Sequence, residues 1–396
     1  MLNPITRYRF KSPLLTSLVR GIDWVGYLFV RQKAFRKDHI KKILVIRLDD
    51  LGDVILATPT IRNIKENFPN AAIDILVKSS TKDIVLNNPC VKKIWVLDPF
   101  WMRSKKPFPF KQLIQLVQQL RRENYDLAFE LRGNPFNIIL AFLCRSRHRA
   151  GYGAQGLGFL LTSVIPYDGN PKHEIERNFD LLRGLDLSVS SKHPELIIPE
   201  AADLFVDRFL EENTVSKDDM LVCLHPGAPW QARRWPQERF AALADGLIAT
   251  YRLKVVLIGG GDERELCSSI RDLAGLKNKN HIILAAGATD IAGTAALIKR
   301  CRLFIGNDSG PMHIASAVNT DTVALFGPQT PVLFGPNGAK ATAVYRKVHC
   351  SPCIQKDGRG CSRGLQCCEG LLHITAEDVM RVIEKKLTEL SPIKKV

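Results

Sequence analysis

The stretch Leu303-Phe304-Ile305-Gly306-Asn307-Asp308-Ser309-Gly310-Pro311-Met312-His313 decides how this chain is read. Its apolar start reads as a buried strand, and Ile314-Ala315-Ser316-Ala317-Val318 beyond it as a helix. Asp308 or Ser309 suits the helix cap. Pro311 suits the first turn, where a missing N–H costs nothing. Such a strand–turn–helix aims backbone N–H groups and the positive end of a helix dipole at one point, which fits a phosphate. A carboxylate (Asp308) and an imidazole (His313) share the turn, so polar chemistry beside an anion is expected there.

The same grammar runs along the chain. Residues 43–48, 73–77, 94–97 and 127–131 read as strands, with helical patterns at 54–68 and 113–122. The pattern loosens into Ser, Pro and Lys around 186–200 and then restarts. Strands at 221–224, 255–258, 282–284, 303–305 and 323–325 alternate with helices at 237–251, 263–273, 291–299 and 312–318. Repeated strand–helix–strand units imply parallel sheets. A chain of 396 residues exceeds one comfortable core. The expected fold is therefore α/β, with two Rossmann-like domains facing across a cleft. The segments are a basic N-terminal helix region (1–40), a first domain (41–195), a second domain (196–345), and a cysteine-rich segment with a final helix (346–396).

The net charge is +16, and residues 1–42 supply +8 of it through ten Lys/Arg against Asp23 and Asp38. Leu14, Leu15, Leu18, Ile22, Val25 and Phe29 recur at helical spacing, with Trp24 and Tyr27 beside them. Arg20, Asp23 and Arg31 interrupt the pattern, so no spanning helix is expected. No Ala-x-Ala-like cleavage site comes after it, so no export leader is expected either. A basic, aromatic-bearing helix suits an anionic membrane surface. The alternative is a helix packed on the protein's own body. No nucleic-acid-binding motif accompanies the basic residues, and nucleic acid is not an expected partner. The expected location is cytoplasmic, peripheral on an anionic membrane surface.

Three further loops carry polar chemistry. Arg47-Leu48-Asp49-Asp50-Leu51-Gly52-Asp53 ends the first strand; Gly52 permits close approach, and Asp53 can accept a proton from a hydroxyl or cap the next helix. Asp49 and Asp50 read as solvent-exposed rather than metal ligands. In His225-Pro226-Gly227-Ala228 the small residues Gly227 and Ala228 leave room for a ligand, and the stretch leads to Arg233 and Arg234, forked donors suited to phosphate. Gly259-Gly260-Gly261-Asp262-Glu263 suits a nucleotide, its acid holding ribose hydroxyls. Gly151-Tyr152-Gly153-Ala154-Gln155-Gly156 matches a dinucleotide fingerprint literally, but it comes after a basic stretch rather than a strand, so a nicotinamide cofactor is rejected. No P-loop occurs.

Five of the ten cysteines are scattered among apolar residues and read as reduced core thiols. Cys350, Cys353, Cys361, Cys367 and Cys368 crowd together beside His349. Structural Zn²⁺ at Cys350, Cys353, Cys361 and Cys367 is one reading, and a loop of reduced thiols the other.

Taken together, 46–53 with Thr58-Pro59, His225-Pro226-Gly227-Ala228 with Arg233-Arg234-Trp235-Pro236, Asn307 to His313, and Leu325-Phe326-Gly327-Pro328 resemble glycosyltransferase family 9, the bacterial lipopolysaccharide heptosyltransferases. The resemblance implies a GT-B fold and inverting transfer of heptose from an ADP-heptose donor to a lipopolysaccharide inner core or related glycolipid. It implies no cofactor and no catalytic metal. It implies Asp53 as catalytic base, with Arg47 and Gly52 on the acceptor side. Arg233, Arg234, Glu263, Asp308, Ser309, Gly310 and His313 fall on the donor side. Arg stands at 233 where the family usually has Lys, which changes donor-contact geometry. A nucleotide-sugar epimerase of the same fold and a non-catalytic glycolipid-binding protein are the competing readings.

Overall fold

In the computed structural model, which describes residues 13–29, 35–98, 110–353, 361 and 363–390, the chain forms two units, Met1–Lys192 and His193–Val396. The basic residues Arg7, Arg9, Lys11, Arg31 and Lys33 lie outside the described residues.

The first unit is built on a six-stranded sheet. Its strands are β1 (Lys42–Ile46), β2 (Ala72–Val77), β3 (Lys93–Val96), β4 (Leu127–Glu130), β5 (His148–Tyr152) and β6 (Ser163–Ile165). All neighbours pair in parallel, in the order β3-β2-β1-β4-β5-β6. β1 and β4 are buried almost throughout, which is why they read as apolar runs. The expected helix at 54–68 is two helices, Leu51–Ile55 and Thr58–Asn67. Pro59 opens the second, and a proline there cannot continue a helix from the preceding turn. The basic stretch ahead of the glycine-rich match proves to be strand β5, contrary to expectation. Beyond β5 the chain makes a short 3-10 turn (Gly158–Leu160) and enters β6 rather than starting a helix, so the dinucleotide fingerprint still fails. Its glycines serve packing instead: a Cβ on Gly153 would meet the Gly158 Cα at 3.1 Å, and Gly156 has φ +110°.

The second unit repeats the plan. β7 (Leu221–His225), β8 (Lys254–Leu257), β9 (Ile282–Leu284), β10 (Leu303–Asn307), β11 (Asp321–Phe326) and β12 (Ala341–Tyr345) form a parallel sheet ordered β12-β11-β10-β7-β8-β9. Each sheet reverses direction of growth beside its first strand, between β1 and β4 and between β7 and β10. Ligands of open α/β sheets bind at such switch points, outside the carboxyl ends of the strands. The final helix, Ala376–Leu390, packs Val379, Ile383 and Leu387 into the same core as helix Gln237–Tyr251.

One buried polar chain crosses the first unit. The Trp95 indole N–H donates to the Tyr125 hydroxyl at 2.8 Å, which donates to Asp74 Oδ2 at 2.7 Å. Tyr125 and Asp74 are buried. Tyr125→Phe removes the donor to Asp74 and should cost about 1–3 kcal/mol of stability in this unit. Denaturant unfolding checks it, and an unchanged midpoint would contradict the assignment.

Candidate functional site

At the switch point of the second unit, one side chain organises the loops. Asn307, buried at the end of β10, accepts from the Trp235 backbone N–H at 3.1 Å and donates to the carbonyls of Pro226 and Gly227 at 2.8 and 3.3 Å. This ties the 225–235 loop to the 307–313 turn. Arg233 Nη1 then stands 3.2 Å from Asp308 Oδ2, and Arg234 Nε donates to the Ala228 carbonyl at 3.0 Å. Ser309 begins helix Gly310–Ala317, but its hydroxyl makes no cap hydrogen bond. It bonds the Asn307 carbonyl and His225 Nδ1, each at 3.0 Å. The capping expectation for Ser309 is therefore corrected: the extended backbone at 309 turns its hydroxyl toward β7. Gly310 and His313 lie on the first turn of this helix, with His313 buried. Arg233, Asp308 and Ser309 thus meet at one helix N-terminus.

Glu263 joins them from the β8 loop. One carboxylate oxygen, Oε2, accepts from the Gly260 N–H at 3.0 Å and faces His225 Nε2 at 3.2 Å. Burial alone would raise this carboxyl, but the His225 hydrogen bond, the Gly260 amide and Arg234 bring it below its ordinary value. A Cβ on Gly227 would lie 1.8 Å from Glu263 Oε1. The room at Gly227, expected for a ligand, is filled by this carboxylate.

In the first unit the corresponding place holds a charge cluster. Arg47 is fully buried; its guanidinium donates to the Leu131 carbonyl at 3.1 Å and pairs with Glu174 at 2.8 Å, Asp49 at 3.1 Å and Asp53 at 3.5 Å. Arg132 pairs with Asp49 at 2.7 Å and Asp53 at 3.5 Å, and its side chain is 43% exposed. Asp53 sits in the first turn of helix Leu51–Ile55 beside Gly52, with Asp50 at the cap position. Asp53 is therefore oriented by two arginines rather than spent as a cap. Asp49 is buried and paired, correcting the solvent-exposed expectation; Asp50 is exposed and pairs with Lys78. Burial would lower the Arg47 guanidinium, but Asp49, Glu174 and Asp53 hold it charged.

Sequence reading missed Arg132, Glu174 and Glu130. Arg132 lies just past strand β4, so its position at a strand's carboxyl end was the available signal. Glu130 is buried and accepts from the amides of Arg132, Gly133 and Asn134 and from Asn137 Nδ2, shaping the turn that carries Arg132. Burial raises its carboxyl to about 7 against those hydrogen bonds.

All ten cysteines are free thiols. His349, Cys350 and Glu369 each bring a ligand atom within 4.8 Å of the others. Burial raises the Cys353 and Cys368 thiols, and the Cys350 and Cys361 thiols add to both. Partial burial pushes the Cys367 thiol up to about 12, with Cys368 adding to the rise and Arg239 opposing it. The segment is fastened to two loops of the second unit: Cys353 N–H donates to the Pro328 carbonyl at 2.6 Å and Cys368 N–H to the Ala232 carbonyl at 3.0 Å.

A glycosyltransferase scaffold with paired Rossmann-like sheets accounts for this arrangement. Residues 113–360, more than half of the chain, match the family described as glycosyltransferase family 9 (heptosyltransferase), and the chain belongs to that family. It is 29% identical over 353 residues to lipopolysaccharide heptosyltransferase 3 of Escherichia coli (strain K12), covering 86% of this chain and 96% of the relative. Among solved structures it resembles a glycosyl transferase family 9 protein from Veillonella parvula DSM 2008, at 27% identity and TM-score 0.75, over 90% of this chain and 99% of that one. The E. coli ADP-heptose lps heptosyltransferase II shares the fold at TM-score 0.72 and 24% identity, over 89% of this chain and 100% of that one. The fold is GT-B, and the chain is a glycosyltransferase of the heptosyltransferase family rather than an epimerase.

Proposed function

We propose that this protein transfers heptose from ADP-heptose to a hydroxyl of a lipopolysaccharide inner core, with inversion at the anomeric carbon. The observation that carries the reading is the meeting of Arg233, Asp308 and Ser309 at the N-terminus of helix Gly310–Ala317. In the proposed reaction Asp53 takes the proton of the acceptor hydroxyl. The oxygen attacks the anomeric carbon, the bond from that carbon to the diphosphate oxygen breaks, and the electron pair leaves with ADP. Arg233 and the helix N-terminus stabilise the charge that grows on the departing diphosphate. Arg47 and Arg132 hold the Asp53 carboxylate in place, and Arg234, Gly310 and His313 complete the donor seat. The sheet-end position and the double ion pair of Asp53 support its role. The name of the E. coli relative supports the choice of ADP-heptose.

The N-terminal helix Pro13–Phe29 is the proposed contact with the anionic inner-membrane surface, placing the enzyme peripherally on its cytoplasmic side. The Asp23 carboxylate accepts from the Leu157 N–H at 2.7 Å, and Gly26 lies against the Phe159 ring, which fixes one side of the helix. Leu14, Leu18, Trp24 and Leu28 stay exposed, with Arg20 among them. Apolar side chains flanked by cations fit a bilayer of anionic lipid. Among the described residues no helix is long and apolar enough to cross a membrane.

The cysteine cluster is the proposed seat of a structural zinc ion. Thiolates are sufficient ligands for a closed site, and Cys350, Cys353, Cys361 and Cys367 supply four, with His349 and Glu369 bringing ligand atoms beside Cys350. A metal there would stiffen the segment that holds Ala232 and Pro328.

Three outcomes are expected. Asp53→Asn should lower acceptor-dependent ADP release by about 100-fold or more while donor binding, read by calorimetry, stays within a few-fold; equal loss of both would remove Asp53 as the base. Wild type should float with phosphatidylglycerol vesicles and not with phosphatidylcholine alone. A Trp24→Glu/Leu28→Glu variant should remain unbound, and unaltered flotation would defeat the membrane assignment. Elemental analysis of purified protein should find about one zinc per chain, lost in Cys350→Ser; metal-free wild type would refute the site.

A further inference from the structure

His225 ends β7 and is buried. Its two ring nitrogens face two different parts of the donor seat: Nδ1 lies 3.0 Å from the Ser309 hydroxyl, and Nε2 lies 3.2 Å from Glu263 Oε2. These partners come from separate loops, one after β10 and one after β8.

The proton count constrains the imidazole. The Ser309 hydroxyl has one proton and two neighbours, His225 Nδ1 and the Asn307 carbonyl, and the carbonyl can only accept. Where the hydroxyl donates to Nδ1, the ring is neutral and its proton is on Nε2. Where the hydroxyl donates to the carbonyl, Nδ1 must donate to the hydroxyl. Nε2 must then also carry a proton to serve the carboxylate, so the ring is a cation. In both cases Nε2–H points at Glu263 Oε2.

Oε2 therefore takes two internal donors, His225 Nε2–H and the Gly260 amide. No hydrogen bond among the described residues goes to Oε1, which lies over Gly227. We infer that His225 is a positioning residue for nucleotide recognition: it locks one oxygen of Glu263 so that the other is presented to the ribose hydroxyls of the donor. This rests on the donor reading proposed above, and it gives Gly227 a reason, since any side chain there would displace Oε1.

The test compares full-length protein binding ADP and 2′,3′-dideoxy-ADP by calorimetry. Wild type should prefer ADP by about 10-fold, the worth of a charge-assisted hydrogen bond to a hydroxyl. Glu263→Gln should erase most of that preference. His225→Phe should erase it as well, while leaving 2′,3′-dideoxy-ADP affinity within about 2-fold of wild type. His225→Gln, which returns an N–H near the place of Nε2, should restore much of the preference. The double variant Glu263→Gln/His225→Phe should lose no more than either alone. A preference that survives in His225→Phe overturns the role of His225, as does an equal loss of both ligands. A wild type without any preference overturns the ribose reading of Glu263 itself.

Discussion

Each half of this protein hangs on one polar side chain buried at the carboxyl end of a central strand. In the second unit it is Asn307, whose amide satisfies one backbone N–H and two carbonyls of the 225–235 loop. A loop buried against a sheet carries backbone groups that water cannot reach, and each left unpaired costs free energy comparable to a lost hydrogen bond. Asn is suited because it donates and accepts at once. Fixing that loop fixes Arg233 relative to Asp308, and so the cation of the proposed donor seat. In the first unit the pin is Arg47, which reaches the Leu131 carbonyl behind it and three carboxylates around it.

The two pins differ in charge, and the difference suits their tasks. Around Arg47, Arg132 and Arg177 stand Asp49, Asp53 and Glu174, three bases against three acids. A buried ion pair is an uncertain source of stability, because desolvation offsets the attraction, but breaking one leaves a stranded charge at a cost of about 3–5 kcal/mol. Glu174 and Asp49 are buried and neutralise Arg47, whereas the Asp53 side chain keeps 17% exposure at the edge of the cluster. The buried carboxylates orient the cluster, and the one with access to solvent is the proposed base. In the second unit Arg233 and Arg234 stand with Asp308 and Glu263, and the helix dipole adds the positive end that suits the proposed diphosphate.

The same contrast between buried strand and polar strand end governs how legible the chain was as a sequence. Strands buried on both faces announce themselves as apolar runs, so β1, β2, β4, β7, β8 and β10 could be read. β5 could not: His148-Arg149-Ala150-Gly151-Tyr152 carries charge and a glycine because it runs toward the sheet edge beside short β6. β12 was missed for the same reason, since it pairs on one side only and is nowhere fully buried. The loops with Arg47, Gly52, Asp53, Arg233, Arg234, Glu263, Asp308, Ser309, Gly310 and His313 stood out because glycines and charges sit directly after apolar strands. Glu174 did not, because it lies 127 residues from Arg47 on a helix with ordinary amphipathic spacing.

Gly227 shows how a correct pattern can carry the wrong reason. A glycine after a strand is commonly where a ligand nears the backbone, and here the approaching group is the protein's own Glu263 carboxylate. The consequence is an ordering of constraints. Gly227 must lack a side chain so that Glu263 can lie flat over it; Glu263 can lie there only with an N–H from His225 and one from Gly260; and His225 can supply its N–H only because Ser309 and Asn307 settle the other ring nitrogen. The hydroxyl that seemed intended to cap the phosphate-facing helix is therefore engaged in fixing a carboxylate one loop away. With the Ser309 hydroxyl turned toward His225, any anion at that helix N-terminus is met by backbone N–H groups and the dipole, with Arg233 alongside.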